Sequence, residues 1–160
     1  MTDTSELLDS ITPKQTAKVN VLERAVWQTA DDFLRLIVPA ENYGDYIIPF
    51  TVLRRLEGRL ESTKPQVLEL VRREAAKGTL PHIVALKIEN QFGLRFWNTS
   101  DLSLERLAAS DDELKSGLKQ YLNAFSANIL GIWDAFEFDK LIDFLARNDQ
   151  LWNMVSHFAS

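Results

Sequence analysis

YGDYIIPFTVLRRLEGRLE, from Tyr43 to Glu61, is the stretch whose reading decides the fold. Tyr46, Phe50, Leu53, Leu56 and Leu60 recur at spacings of 4, 3, 3 and 4, which places them on one stripe of an α-helix. Arg54, Arg55 and Arg59 lie off that stripe. Pro49 stands where a helix is ill served, since it has no N–H to donate and its ring meets the carbonyl four residues back. Two readings follow: a helix that starts near Asp45 with the proline close to its first turn, or a helix kinked at the proline. The first is preferred.

Upstream, Val19, Leu22, Val26, Ala30, Phe33 and Ile37 form another helical stripe, widened by Trp27 and stopped by Pro39. Residues 1–17 mix polar residues around Pro13 with only Leu7, Leu8 and Ile11 as an apolar cluster. They read as a flexible or weakly docked arm ahead of a helical domain over residues 18–160. Asn42 and Gly44 supply turn chemistry between the two helices.

Downstream, Ser62-Thr63-Lys64-Pro65 reads as a hydroxyl cap followed by proline, opening a helix through Val67, Leu68, Val71 and Ala75 that ends at Gly78. Pro81 to Phe92 makes a further helix, and Leu94 to Asn98 is the one extended piece. Ser100 or Asp101 caps a short helix through Leu104 and Leu107. Ser110-Asp-Asp-Glu113 reads as a capping box for a helix running from Leu114 to Ile129. Stripes at Phe138–Leu145 and Leu151–Phe158 complete the chain. The expected fold is all-α: a single compact multi-helix domain of about seven helices with at most one short extended segment. The last stripe is still apolar at the chain end, which suggests a longer parent protein.

Composition bounds the function. The chain has 160 residues, 46% of them hydrophobic and 26% charged, as globular domains do. No run reaches the roughly 18 apolar residues that cross a bilayer, the acidic start lacks the features of a signal peptide, and cysteine is absent. A cytoplasmic location and no membrane partner fit these observations. Two histidines, His82 and His157, are too far apart to form a metal-ligand pair, and no Gly-rich phosphate loop or nucleophile elbow occurs. The acidic pairs Asp31-Asp32 and Asp111-Asp112 sit where helix surfaces and N-termini favour acids in any case. No catalytic, cofactor-binding or metal residue is assigned.

Basic residues are the remaining lead. Net charge is −5, which speaks against nucleic acid, yet residues 51–90 hold eight Lys/Arg against five Asp/Glu. Residues 101–160 hold five against ten. Arg54, Arg55, Arg59, Lys64, Arg72, Arg73 and Lys77 would share one surface if their two helices packed as a hairpin, and would then meet successive phosphates. The competing reading is ordinary surface ion pairing with the interleaved Glu57, Glu61, Glu69 and Glu74. Phe96 and Trp97 divide similarly between core packing, which is favoured, and contact with a partner.

The order Trp27-x-x-Ala30-Asp31, Leu34-Arg35, Tyr43 and Ile48-Pro49-x-x-x-Leu53-Arg54-Arg55-Leu56 continues with Tyr121-x-x-x-Phe125-Ser126-x-Asn128-Ile129 and Phe136-x-Phe138. Over about residues 20–158 it resembles the N-terminal helical domain of the modification (HsdM) subunit of type I restriction-modification systems. Leu36 departs from the glycine that many relatives place after Leu-Arg. The resemblance implies a parent protein that methylates adenine N6 in DNA with S-adenosylmethionine, through a following methyltransferase domain bearing Asn-Pro-Pro-Phe/Tyr, a motif this chain lacks. It implies a non-catalytic segment that helps to embrace DNA and to assemble with a second modification subunit, the specificity subunit and the restriction subunit. The alternative is a helical protein–protein interaction module with no DNA contact.

Overall fold

A computed structural model describes residues 31–160. Among them are eight α-helices and one 3-10 turn: α1 Tyr43–Leu60, α2 Lys64–Ala76, α3 Pro81–Phe92, α4 Leu104–Ala108, α5 Leu114–Asn123, α6 Ala127–Phe136, α7 Phe138–Arg147 and α8 Leu151–Ala159. No strand occurs among the described residues, so the all-α expectation holds. The arm at residues 1–17 and most of the helix expected from Val19 lie outside the described residues.

That upstream helix is described only in its last turn, at residues 31–34, and stops three residues before Ile37. The Leu34 carbonyl accepts from both Ile37 N (2.9 Å) and Val38 N (2.9 Å), which tightens the chain before Pro39 pushes it to extended backbone. A 3-10 turn at Ala40–Asn42 then leads directly into α1.

Helix α1 starts at Tyr43, two residues earlier than Asp45, and so Pro49 sits inside the second turn rather than near the first. The preferred reading of the proline is therefore corrected. An interior proline costs about 3 kcal/mol, and its burial together with Ile47, Phe50, Val52 and Leu53 offsets that cost. The predicted stripe is correct: Phe50, Leu53 and Leu56 are fully buried, Leu60 is buried, and Tyr46 packs at the margin.

Ring contacts trace the main core. Tyr121 meets Phe125 (5.5 Å between centroids), Phe125 meets Trp133 (5.5 Å) and Trp133 meets Phe138 (5.3 Å). Phe138 meets Phe50 (5.1 Å), and Phe50 meets Phe158 (5.7 Å). Mostly tilted or edge-on rings at these distances contribute beyond their buried area. The chain of rings joins α5, α6, α7, α1 and α8, and α8 packs on α1, α4, α5 and α7. The centre of the fold is thus shared between α1 and the last helix.

Two sequence expectations fail at α5. The capping box does not form: Glu113 is itself the residue before the helix, in left-handed backbone (φ 56°), and Ser110 Oγ accepts from Asp112 N instead. The helix also ends at Asn123 instead of running to Ile129. Thr99 N donates to Ala124 O (3.0 Å) and Ser126 N to Trp97 O (2.9 Å), around an isolated antiparallel bridge between Asn98 and Phe125. The extended piece thus uses its backbone groups to break the helix, and α6 starts afresh beyond the bridge. Ser126 and Asn128 secure the junction, since Ser126 Oγ accepts from Trp97 N (3.2 Å) and Asn128 Nδ2 donates to Arg95 O (2.9 Å). The short helix α4 is capped by Ser103, whose Oγ accepts from Arg106 N (3.1 Å), rather than by Ser100 or Asp101.

Helices α2 and α3 stand partly apart. They pack on each other around Val67, Leu70 and Ile88, a small core that meets the main one through Leu94. Gly78, at φ 75°, turns the chain between them in backbone that a side chain would strain.

Candidate nucleic-acid interface and its buried neighbours

The helix hairpin that would gather the seven candidate cations on one surface is not formed. Their hairpin would need α2 to fold back along α1, but Glu61 and Thr63 both hold right-handed helical angles and α2 takes α3 as its packing partner. The hairpin expectation is corrected. Each cation then has its own surroundings.

Arg59 and Arg73 are exposed and form no ion pair among the described residues. Arg55, one turn before Arg59 on α1, is half-buried and engaged with a neighbour. Arg72 is exposed and pairs with Glu69 on its own helix, a surface pair of small worth. Arg54 approaches Glu57 at 3.8 Å.

Lys77 turns towards Glu74, a carboxylate only 3% exposed. Glu74 Oε2 accepts from Lys77 Nζ (3.0 Å), and Oε1 accepts from Lys87 Nζ (2.5 Å) and Thr79 Oγ1 (3.1 Å). These donors, Lys87 first, hold the Glu74 carboxyl down at about 2 against the opposing effect of burial. Glu74 and Lys87 tie α2 to α3.

Lys77 itself stays exposed, whereas Lys64 turns inward. Its Nζ donates to Asn98 Oδ1 (3.0 Å) and stands 5.6 Å from the Tyr121 ring centroid. Asn98, itself 1% exposed, donates from Nδ2 to Tyr121 O (3.0 Å). The expected hydroxyl cap is absent here, because Thr63 Oγ1 donates back to Leu60 O (3.3 Å).

In the sequence Glu57 reads only as a neutraliser of arginine. In the fold, Glu57 Oε2 accepts from Leu104 N (2.8 Å) and from the Tyr121 hydroxyl (2.6 Å), binding α1 to the start of α4 and to α5. Burial, then the Glu57 carboxylate, raises the Tyr121 hydroxyl far above its usual value. No local signal marks this role, since the partners are 47 and 64 residues away. Glu57, Arg54, Lys64, Asp101, Glu105 and Tyr121 line a cleft of about 440 Å³.

Elsewhere, His82 is exposed and His157 packs edge-on against Phe33 and Phe158. Phe96 is buried and Trp97 half-buried against the small core, so both serve packing. Among the described residues, no group of three His, Asp or Glu is arranged to hold a metal ion, and no helix is long and apolar enough to cross a membrane.

A family model for the HsdM N-terminal domain matches residues 22–158. The chain belongs to that family. The match takes in α1 to α7 whole and α8 up to Phe158. It makes the chain the N-terminal domain of a type I restriction-modification methyltransferase subunit, as the order of its motifs implied. No curated protein and no solved structure matches the chain.

Proposed function

We propose that this HsdM N-terminal domain is a non-catalytic DNA-embracing and assembly unit of an adenine-N6 methyltransferase subunit. In this reading S-adenosylmethionine and the chemistry on the flipped base belong to the methyltransferase domain of the parent protein. The partners are DNA, a second modification subunit, the specificity subunit and the restriction subunit.

One observation carries the DNA part: Arg59 and Arg73 are exposed with no carboxylate partner among the described residues. A guanidinium left to solvent on an acidic chain is available to a phosphate without first breaking an internal pair. Arg55 and Arg72 neighbour them on the same two helices. Lys64 turns inward beside Asn98 and Lys77 is held by the buried Glu74, which removes these two from the proposed contact set. Arg54 and Arg72 pair only with Glu57 and Glu69 on their own helices and stay in it.

A specific observation also favours protein contact. Leu80, just before α3, and Ile83 and Leu86 on it are 59%, 36% and 51% exposed. From Pro81 to Leu86 that helix carries no Asp, Glu, Lys or Arg, and exposed apolar side chains grouped at one end of a helix mark a surface for a partner. DNA contact through the arginines and subunit contact through α3 are compatible.

The test is made in the assembled complex, with Arg55, Arg59, Arg72 and Arg73 changed to Gln. Each lost phosphate contact should lower the slope of log binding constant against log salt by about 0.9. An unchanged slope with assembly intact overturns the DNA contact and leaves the interaction module.

A further inference from the structure

Of the six lysines among the described residues, five are ion-paired. Lys77, Lys87, Lys115, Lys119 and Lys140 each have a carboxylate oxygen 2.5 to 3.4 Å from the amine. Lys64 has none within 4.0 Å; its Nζ has only an amide oxygen, Asn98 Oδ1, and the face of Tyr121. The amine is half-buried and lines the cleft of about 440 Å³ between α1, the base of α2 and the 101–105 segment.

The groups facing that cleft are Arg54 and Glu57 from α1, Glu61 just after it, Asp101 before α4, Glu105 in α4, and Tyr121 from α5. The Glu57 carboxylate is occupied by Leu104 N and the Tyr121 hydroxyl. Four acids against two cations disfavour an anionic visitor and admit a neutral one.

We propose that Lys64 is an acylation site for small neutral acyl thioesters, which enter this cleft. The neutral amine attacks the thioester carbonyl carbon and forms a C–N bond. The C–S bond breaks, the thiolate leaves with the electron pair, and the surplus proton on nitrogen passes to solvent. No oxidant or reductant is required. The product amide keeps one N–H for Asn98 but loses the charge over Tyr121, so the foot of α2 changes its hold on the body.

The amine is suited to this step because desolvation makes its ammonium form less favourable. Burial lowers it to about 8, with Glu57 and Asp101 opposing. At pH 7 about one such amine in ten is neutral, against roughly one in 2,500 for a lysine of ordinary basicity.

The experiment treats the folded, full chain with the acetyl thioester of N-acetylcysteamine between pH 6.5 and 9.5. Initial acetylation rates at individual lysines are followed by peptide mass spectrometry, with Lys140 as the exposed internal reference. Lys64 should lead Lys140 by about tenfold at pH 7, because the lower nucleophilicity of a less basic amine offsets part of its gain in neutral fraction. Its rate should level off near pH 8 while that of Lys140 keeps rising. Unfolding the chain in urea should abolish both differences. A Lys64 rate that climbs in parallel with Lys140 to pH 9.5, or absence of Lys64 acetylation in the folded chain, overturns the proposal.

Discussion

The Tyr121 hydroxyl donates a 2.6 Å hydrogen bond to Glu57 Oε2, joining α5 to α1 across 64 residues of sequence. The same oxygen accepts from Leu104 N at 2.8 Å and so receives the first turn of α4. Removing the carboxylate leaves two donors without partners at a partly buried junction, whereas removing the hydroxyl leaves only the carboxylate short of one bond.

Glu57→Ala should therefore cost about 2–4 kcal/mol, and Tyr121→Phe about 1–2 kcal/mol. Because the residues share one bond, the double variant should be more stable than the sum of the single losses predicts, by about 1 kcal/mol. Urea unfolding of the four proteins gives the cycle. Additive losses would mean that the bond contributes nothing beyond the two separate side chains.

Glu74 gives a pH signature. Lys87 foremost, then Lys77, holds its carboxyl at about 2, below an ordinary glutamate near 4.5. A group depressed on folding stabilises the fold above its unfolded value, and that contribution is lost as pH falls towards the folded value. The window is thus about pH 4.5 down to 2. Glu74→Gln should show a smaller loss of urea midpoint across that window than the parent. Other carboxylates, Asp143 beside Lys119 and Lys115 among them, titrate in both proteins and cancel in the difference. Parallel profiles for the two proteins would remove Glu74 from the acid response.

Glu137 sits between α6 and α7 at φ 53°, left-handed backbone that L side chains rarely adopt. Its ion pair with Lys140, at 3.4 Å on an exposed surface, contributes little. Glycine reaches the same angle without the side-chain penalty. Glu137→Gly should raise stability by about 0.5–1 kcal/mol, or about 1–4 °C in melting temperature for a domain of this size. A lower melting temperature would show that the side chain does more at this junction than its contacts indicate.

Most of the helical layout was legible because it is written in local periodicity. The stripe Phe50, Leu53, Leu56 and Leu60 is buried where a 3.6-residue repeat puts it, and Gly78 ends its helix as a C′ residue should. What escaped is non-local. The break at Ala124–Ser126 depends on backbone pairing with residues 97–99, so Leu114–Ile129 read as one uninterrupted stripe. Sequence spacing also put Lys64 and Lys77 with the arginines as candidate phosphate contacts, but it carries no trace of Asn98 or of the burial of Glu74. It separated no exposed arginine from an inward lysine. The motif Phe125-Ser126-x-Asn128, quoted for its family likeness, is explained by the fold as the clasp on residues 95–97.

Helices α2 and α3 should open separately from the rest. Their own core has three buried residues, Val67, Leu70 and Ile88, against the many rings and aliphatic chains that enclose α1 and α8. Local opening free energy follows the apolar contact that must be broken. Amides of α2 and α3 should therefore exchange with solvent at a lower free energy than those around Phe50 and Met154. Ile88→Ala should lower the value for α2 and α3 by about 2–4 kcal/mol, as large-to-small changes do at fully buried sites. Amides of α1 and α8 should shift far less, since that cavity opens on the small core alone. Native-state hydrogen exchange on both proteins decides the point. Equal losses in all four helices would mean that the contact through Leu94 makes the two cores a single cooperative unit.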